Sequence, residues 1–259
     1  MDNNKRYFHS VTGYFVVEDQ VLSTTEGLVD ERYTNELFDM ATPRLITEIR
    51  KSMERCKDAD IMLKLKIIIV LFCNTVEEVQ FPTIQLSDLL KEIREKYYNM
   101  LLFKWDDKIR DILSEDNYTP LEVDSEEYYR QLMQVFPYEN DLLNNSSGSS
   151  SKPAGESAAS SGFHKRFSFS LCVPKIFAAM REFVKNCKKF AEGLNSSQTE
   201  LDDMIRKPTN RLITDKLSEN IRLVINQASL IQLVQVVVNT IYLEKSIEML
   251  EQYLLEVIG

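Results

Sequence analysis

The sequence predicts an all-α protein made of two consecutive helical bundles. Apolar residues recur three or four positions apart over long stretches, which is the spacing of one helix face. Glycine and proline number only seven each in 259 residues, so few tight turns are expected. No stretch alternates apolar and polar residues for long enough to build a sheet. Long antiparallel helices are therefore the predicted architecture.

Three long helices carry most of this pattern, and the spacing predicts them over 86–113, 176–194 and 229–258. The run "VQVVV" in the third has strand propensity, but the helical period holds across it and favours a helix. The apolar positions of that helix are Leu230, Val234, Val237, Ile241, Leu243, Ile247, Leu250, Leu254 and Val257.

Two prolines and one aspartate mark helix boundaries or bends. Thr42-Pro43 resembles an N-cap followed by proline at the first helical position, so we expect two helices or one bent helix over 30–57. Asp58 can cap the next helix. Pro208 interrupts an apolar stripe that keeps its phase on both sides. We therefore predict one helix, kinked near Pro208, that lacks the hydrogen bond to the carbonyl of Met204.

A serine-rich stretch divides the chain. Residues 144–162 hold eight serines, three glycines and no large apolar side chain, which is typical of a flexible linker. It separates two predicted domains, 1–143 and 163–259. Residues 1–143 carry 17 Lys/Arg against 28 Asp/Glu, a net −11, and residues 144–259 carry 14 against 12, a net +2. The first bundle is thus expected to be acidic.

Composition excludes several functional classes. A net charge of −9 argues against nucleic acid as a partner, because phosphate binding needs a concentrated basic surface. The most apolar run, residues 67–73, is far shorter than a membrane span requires. The N-terminal residues are too polar for a signal peptide. The four cysteines lack metal-ligand spacing, so we expect free, buried thiols in a reducing compartment.

No catalytic or cofactor motif is present, and the sequence predicts a protein that is not an enzyme and holds no cofactor or metal. The two histidines, His9 and His164, have no ligand or catalytic residue at a suitable spacing. Three acidic pairs remain: Glu77-Glu78, Asp106-Asp107 and Asp202-Asp203. Neighbouring residues on a helix point about 100° apart, so we interpret these pairs as solvated surface.

One basic stripe stands out on the predicted helix over 176–194. Arg181, Lys185, Lys188 and Lys189 lie at helical spacing beside the apolar stripe. The stripe is either an ordinary solvated flank or a docking surface for an acidic partner or an anionic membrane. Four charges bind a membrane only weakly, so a protein partner is favoured. These four residues are the predicted partner-binding site.

Several long stretches together resemble one family. "GYFVVEDQVLSTTEGLV" (13–29), "SEDNYTPLEV" (114–123), "TELDDMIRKPTNRLIT" (199–214) and "LVQVVVNTIYLE" (233–244) occur in this order in the exocyst subunit Sec-fifteen. The stretches 89–113 and 173–194 are similar to it as well. The resemblance covers nearly all of the chain except the first residues and the linker. The linker is longer than the family pattern, and Pro208 departs from it.

The resemblance implies an interior segment of a rod of stacked helical bundles. The family is a non-enzymatic part of the exocyst, which tethers secretory vesicles at the plasma membrane during exocytosis. Its implied partners are neighbouring subunits, notably Sec-ten, and a GTP-bound Rab GTPase. The implied location is cytoplasmic and peripheral, at vesicles and the plasma membrane. Composition alone also fits a helical adaptor or scaffold of another trafficking complex.

Overall fold

The computed structural model describes residues 2–25, 30–138 and 163–259, and they form an all-α fold, as predicted. The helices before the serine-rich stretch are α1 (Asp2–Thr24), α2 (Glu31–Arg55), α3 (Ala59–Glu78), α4 (Ile84–Ser114) and α5 (Glu126–Val135). Those after it are α6 (Cys172–Ala191), α7 (Gln198–Arg211), a π-helical segment (Leu212–Leu217), α8 (Ser218–Gln227) and α9 (Leu230–Ile258). Strands β1 (Glu122–Val123) and β2 (Lys165–Arg166) pair antiparallel.

The chain divides into two compact units. The first contains residues 1–101 and 189–197, and the second contains residues 102–188 and 198–259. Both units thus draw on the sequence before and after 144–162. That predicted linker lies outside the described residues, and the division into 1–143 and 163–259 stays a prediction.

Aromatic side chains fill the core of the first unit. Phe38 stacks on Phe81 with ring centroids 4.6 Å apart. Phe15 of α1 meets both rings edge-on, at 5.1 and 5.2 Å. Such edge-to-face contacts add to the stabilisation that apolar burial provides. The three phenylalanines thus join α1 and α2 to the residues that follow α3.

A lysine is buried in the same unit. The side chain of Lys66 on α3 is only 3% exposed, and its ammonium group donates to the carbonyl of Glu192, just beyond the end of α6. The ammonium also lies 5.7 Å from the ring centroid of Phe190. Burial lowers the pKa of Lys66, because desolvation disfavours its charged form. The lysine therefore satisfies a carbonyl that the helix leaves open.

The second unit is built around Trp105 and a group of phenylalanines. The indole Nε1 of Trp105 donates to the carbonyl of Ala179 on α6 at 2.8 Å. Phe183 meets the indole edge-on, at 5.6 Å. Phe136, which follows α5, packs edge-on against Phe177 at 5.3 Å. The last turns of α4, the end of α5 and much of α6 therefore share one core.

Pro43 lies inside a single helix, so the predicted N-cap at Thr42 and the alternative of two helices over 30–57 are wrong, while one bent helix stays a prediction. Helix α2 runs without interruption through Pro43, and Thr42 is buried in its interior. Its N-cap is Asp30, whose carboxylate accepts from the backbone N–H of Arg32 at 3.0 Å. Apolar residues on both sides of the proline are buried, as Phe38 shows. Their burial offsets the local cost of the proline.

Two other boundary predictions agree with the structure. Asp58 caps α3, where its carboxylate accepts from the N–H of Asp60 at 2.9 Å. The backbone also stays helical through Pro208, since α7, the π-helical segment and α8 follow one another directly. The helical continuity across Pro208 is confirmed, and the kink stays a prediction. The sequence did not predict the π-helical segment, whose hydrogen bonds span one residue more than those of an α-helix.

A partly shielded carboxylate lies against this π-helical segment. Asp106 on α4 is 9% exposed and accepts from the side-chain amide of Asn220 at 2.7 Å. Its second oxygen lies 3.4 Å from the ammonium of Lys216. The wide turn thus brings Lys216 and Asn220 to the same acid. The interpretation of Asp106 as solvated surface is therefore wrong, because this carboxylate is shielded from solvent and bound by Asn220 and Lys216.

Replacing Pro43 by alanine should stabilise the chain. Pro43 is exposed within α2, and proline costs about 3 kcal/mol relative to alanine in a helix interior. Loss of the rigid ring favours the unfolded chain by about 1 kcal/mol. We therefore expect Pro43→Ala to raise the free energy of unfolding by roughly 2 kcal/mol in urea titrations. The exposed neighbour Arg44→Ala is the control, and an unchanged or lower urea midpoint for Pro43→Ala would contradict the expectation.

Candidate docking surface

The first turns of α9 carry an apolar face that points into solvent. Leu230, Val234, Val237 and Ile241 are 80%, 65%, 58% and 45% exposed. They are spaced four, three and four residues apart, so they lie along one line on the helix. We call these four residues the apolar seam. Burying an aliphatic side chain stabilises a protein by about 1.5–3 kcal/mol. The exposed side chains of the seam do not contribute this stabilisation to the fold.

The opposite face of the same turns is buried and consists mainly of polar residues, with Val236 beside them. Gln235, Asn239 and Ser246 are at most 8% exposed. The predicted apolar stripe of α9 therefore divides: its first half is the seam, while the leucines of its second half, Leu243, Leu250 and Leu254, are buried. The polarity of the first turns is inverted relative to an ordinary surface helix.

Hydrogen bonds explain why the polar face points inward. The side-chain oxygen of Asn239 accepts from the backbone N–H of Ser170 at 2.9 Å, and its amide nitrogen donates to the hydroxyl of Ser170 at 2.7 Å. The amide nitrogen of Gln235 donates to the carbonyl of Ser168 at 2.8 Å. These bonds satisfy backbone groups of the segment between β2 and α6, which would otherwise be buried without partners.

Asp116 extends this network to the loop after α4. Its carboxylate accepts from the hydroxyl of Ser170 at 2.5 Å and from the backbone N–H of Cys172 at 3.1 Å. It also accepts from the N–H of Tyr118 at 3.1 Å, at a backbone with positive φ. Hydrogen bonds to a carboxylate are stronger than neutral ones. Asp116 therefore fixes the loop, the start of α6 and, through Ser170, the rotation of α9.

Both ends of α9 are held as well. Its N-terminus is closed by a capping box, in which the side chains of Ser229 and Gln232 bond to each other's backbone. At the C-terminus, the ammonium of Lys188 donates to the carbonyl of Val257 at 2.6 Å. One turn and a half earlier, Glu251 forms an ion pair with a guanidinium on α7 at 2.6 Å. The capping box thus stabilises the first turn of α9, and the last turns of the helix are bonded to α6 and α7.

A cavity lies beside the start of the seam. It has a volume of about 350 Å³, and its lining includes Leu113, Tyr118, Leu223, Val224 and Gln232. The leucine on α8 in this lining is itself exposed. From residue 223 to residue 243 the sequence contains no aspartate, glutamate, lysine or arginine. The seam itself is therefore apolar and uncharged, while the cavity beside it also has polar lining residues and one arginine, Arg110.

The predicted basic residues do not form one open stripe. The guanidinium of Arg181 lies 4.5 Å from the ring centroid of Tyr253 and also donates to a backbone carbonyl at the end of α5. Lys188 binds the end of α9, as described above. Lys185 is exposed, and Lys189 belongs to the first unit, whereas the other three belong to the second. Arg181 and Lys188 thus have structural partners, and a partner-binding role for the four residues stays a prediction.

Two of the three acidic pairs, Asp106-Asp107 and Asp202-Asp203, have ordinary structural partners. Asp203 pairs with Lys207 one turn later at 2.6 Å, as Asp202 does with Arg206 at 3.2 Å. The second acid of the pair on α4 likewise bridges an arginine three residues later. Within the described ranges, no group of three or more His, Cys, Asp or Glu residues could hold a metal ion.

The cysteines are free thiols, as the sequence predicts. Burial raises the pKa of Cys172 to about 12, and the nearby carboxylate of Asp116 acts in the same direction. Burial likewise raises the pKa of Cys73 to about 11. It also raises the pKa of Cys187. A protonated thiol is a poor nucleophile, so these three cysteines are structural. Cys56 is only half-buried.

Among the residues placed by the structure, no helix is both long enough and apolar enough to cross a membrane. An all-α chain whose buried polar network holds an apolar helix face in solvent is typical of proteins that bind other proteins. Comparison with known proteins makes the assignment specific. Residues 85–259 match the family described as "Exocyst complex subunit Sec15 C-terminal". The chain therefore belongs to the Sec15 family of exocyst subunits.

Curated relatives agree with this assignment. The chain is 41% identical over 256 residues to "Exocyst complex component 6B" of Homo sapiens, and the match covers 98% of this chain and 30% of that protein. It is 32% identical over 251 residues to "Exocyst complex component 6" of Drosophila melanogaster, where the match covers 96% of this chain and 31% of that protein. The chain thus spans about 30% of the length of these relatives. No solved structure matches it.

The apolar pattern of the sequence does not reveal that the seam points into solvent. Between Leu230 and Leu243 both faces of α9 are rich in aliphatic residues, so periodicity could not distinguish inside from outside. The spacing of the polar residues was the available signal for which face is buried. Gln235, Asn239 and Ser246 lie four and seven residues apart, which places them on one face. That face is the one the structure buries.

Removing the carboxylate of Asp116 should destabilise the second unit. Asp116→Ala leaves the N–H of Cys172 and the hydroxyl of Ser170 without their acceptor. We expect a loss of about 3 kcal/mol in the free energy of unfolding, measured by urea titration. Its exposed neighbour Glu115→Ala should change this free energy by less than about 0.5 kcal/mol. Equal effects of the two substitutions would show that the network does not hold the loop.

Thiol reactivity should follow burial. At a pH near 8 the pKa values of Cys73 and Cys172 are well above the solution pH, so neither forms appreciable thiolate in the folded chain. We expect Ellman's reagent to modify Cys56 rapidly and the other three only after denaturation. The variant Cys56→Ser should remove the rapid phase. Rapid modification of more than one thiol in the native chain would contradict the described burial.

Proposed function

We propose that this chain is a non-enzymatic segment of the exocyst vesicle-tethering complex, which docks neighbouring subunits and a GTP-loaded Rab. Membership of the Sec15 family supports the exocyst. The observation that carries the docking role is the apolar seam of α9. A rigidly held helix face with four exposed aliphatic residues is the kind of surface that protein partners cover.

The proposal includes no catalytic step. The most developed polar network in the second unit joins Asp116, Ser170, Cys172 and Asn239, and its hydrogen bonds end on one another and on the backbone. The raised pKa of the Cys172 thiol removes its nucleophilic form at neutral pH. These groups hold a loop and a helix in position. This structural role supports the proposal that the chain acts as a scaffold.

The proposed location is the cytoplasmic face of secretory vesicles and the plasma membrane, where the chain is held through its complex. Sec-ten is the neighbouring subunit that we propose as a partner, together with a Rab that carries GTP. The relatives described above, "Exocyst complex component 6" and "6B", support assembly with other exocyst subunits.

The basic residues on α6 form a second proposed contact. Lys185 is exposed on α6 and can meet an acidic partner. Arg181 already contacts the ring of Tyr253, and Lys188 already binds a backbone carbonyl at the end of α9. We therefore assign to Lys185 the electrostatic part of docking, which acts mainly on the rate of association.

A panel of Rab GTPases, each loaded with a GTP analogue or GDP, tests the docking role. We expect this chain to capture at least one Rab in the GTP-analogue form and not in the GDP form. Equal capture of both forms, or capture of no Rab, would contradict the Rab part of the proposal. Co-purification with tagged Sec-ten tests the subunit part in the same preparation.

Charge reversal tests the contribution of Lys185. Lys185→Glu should weaken binding of the captured partner by about fivefold at low salt, and less at high salt, because exposed charges are screened. Lys64→Glu, at an exposed lysine on α3, makes the same change in net charge and is the control. Equal effects of the two variants in binding titrations would remove Lys185 from the docking surface.

A further inference from the structure

The spacing of the apolar seam is that of a coiled coil. Steps of four, three and four residues place Leu230 and Val237 at position d of a heptad, and Val234 and Ile241 at position a. Side chains at a and d insert between the side chains of a facing helix. Val234 and Ile241 at position a are β-branched and Leu230 occupies position d, a combination that favours pairing of two helices rather than three or four. Val237 at the other d position is also β-branched.

The line of the seam continues into acidic residues. Glu244 and Glu248 lie three and seven residues after Ile241, on the same line of the helix, and both are exposed. This line of the helix is thus apolar over the seam, for about three turns, and acidic for about the next turn and a half. A helix that follows the whole line needs apolar residues first and basic residues afterwards.

Other occupants fit this surface less well. Helices that lie on anionic membranes carry lysine and arginine, and the sequence from Leu223 to Leu243 has neither. Residues 144–162 of this chain contain no large apolar side chain that could fill the seam. The seam is about 18 Å long and can bury roughly 300 Å² per partner, whereas a stable dimer needs about 800 Å². A second copy of this chain that bound through the seam alone would bury less area than a stable dimer needs.

We propose that the apolar seam is one half of a two-helix coiled coil, whose other half is an amphipathic helix from another polypeptide of the tethering complex. This inference rests on the proposed function. The partner helix presents aliphatic residues to the four side chains of the seam. It presents lysine or arginine to Glu244 and Glu248. Its remaining contacts lie elsewhere in the assembly and supply the area that the seam lacks.

Site-specific photo-crosslinking in the purified complex tests the geometry. p-Benzoylphenylalanine replaces Val234 or Val237 of the full-length subunit, and the crosslinked residues are mapped by mass spectrometry. We expect the two positions to crosslink to one segment of one partner, at residues three or four apart. Val17 on α1 is the control position, because it is an equally exposed helical valine, at 60%. It should not reach that segment.

Crosslinks to a second copy of this chain, to lipid, to a Rab, or to residues without helical spacing would overturn the inference. So would a partner segment without basic residues opposite Glu244 and Glu248. Co-purification of the chain with other subunits is scored in the same samples. A chain that assembles normally but gives the wrong crosslinks contradicts the coiled coil alone. A chain that does not assemble contradicts the proposed function.

Substitutions provide the energetic test. Val234→Glu with Val237→Glu should weaken association with the crosslinked partner at least about tenfold, because both charges would be buried against an apolar helix. The thermal midpoint should not change, since both valines are exposed. Val17→Glu is the matched control. Unchanged association in the seam variant would overturn the inference.

Charge exchange tests the acidic end of the line. Glu244→Lys with Glu248→Lys should weaken association with the same partner, because like charges would then face each other. The reverse charge change in the partner helix should restore it. Failure of that restoration would overturn the pairing of the two acids with basic residues.

Discussion

The hydrogen bonds between Asn239 and Ser170 determine how α9 is rotated, and the character of the second unit follows from that rotation. A side-chain amide that satisfies both a backbone N–H and a hydroxyl can occupy only a narrow range of orientations. Once Asn239 points inward, Gln235 follows one turn earlier and Ser246 two turns later. The aliphatic residues on the other side of the helix must then face solvent.

The packing around this network supports the same orientation. Tyr242 lies edge-on to Phe169, with ring centroids 5.0 Å apart. Asp116 holds Ser170 through a further hydrogen bond, from the loop after α4. A slip of α9 by one residue would turn Asn239 by about 100° and leave Ser170 without its partners. Polar groups in a core cost more when they are unpaired than they contribute when paired, so the network selects one register.

Much of the fold could be predicted from the sequence, because long helices with a regular apolar period are the strongest signal that a single sequence carries. Helices α4, α6 and α9 lie close to the predicted ranges. Asp58 caps α3 as its position suggested. Thr42-Pro43 has the local sequence of a helix start, so the sequence wrongly predicted an N-cap there. The helix continues through Pro43 because its apolar stripe packs against other helices, and that packing is not visible in the local sequence. The π-helical segment was likewise hidden, since its wide turn is stabilised by Asp106, which lies far away in the sequence.

The candidate docking surface was the part that the sequence predicted least well. Its exposure also affects how the chain behaves when no partner covers it. The run from Leu230 to Ile241 is rich in β-branched residues and has no charge and no proline. Exposed segments of that composition tend to aggregate. A chain whose seam is uncovered is therefore prone to self-association through this face. The coiled coil proposed above would remove that tendency, because the partner helix would cover the four side chains.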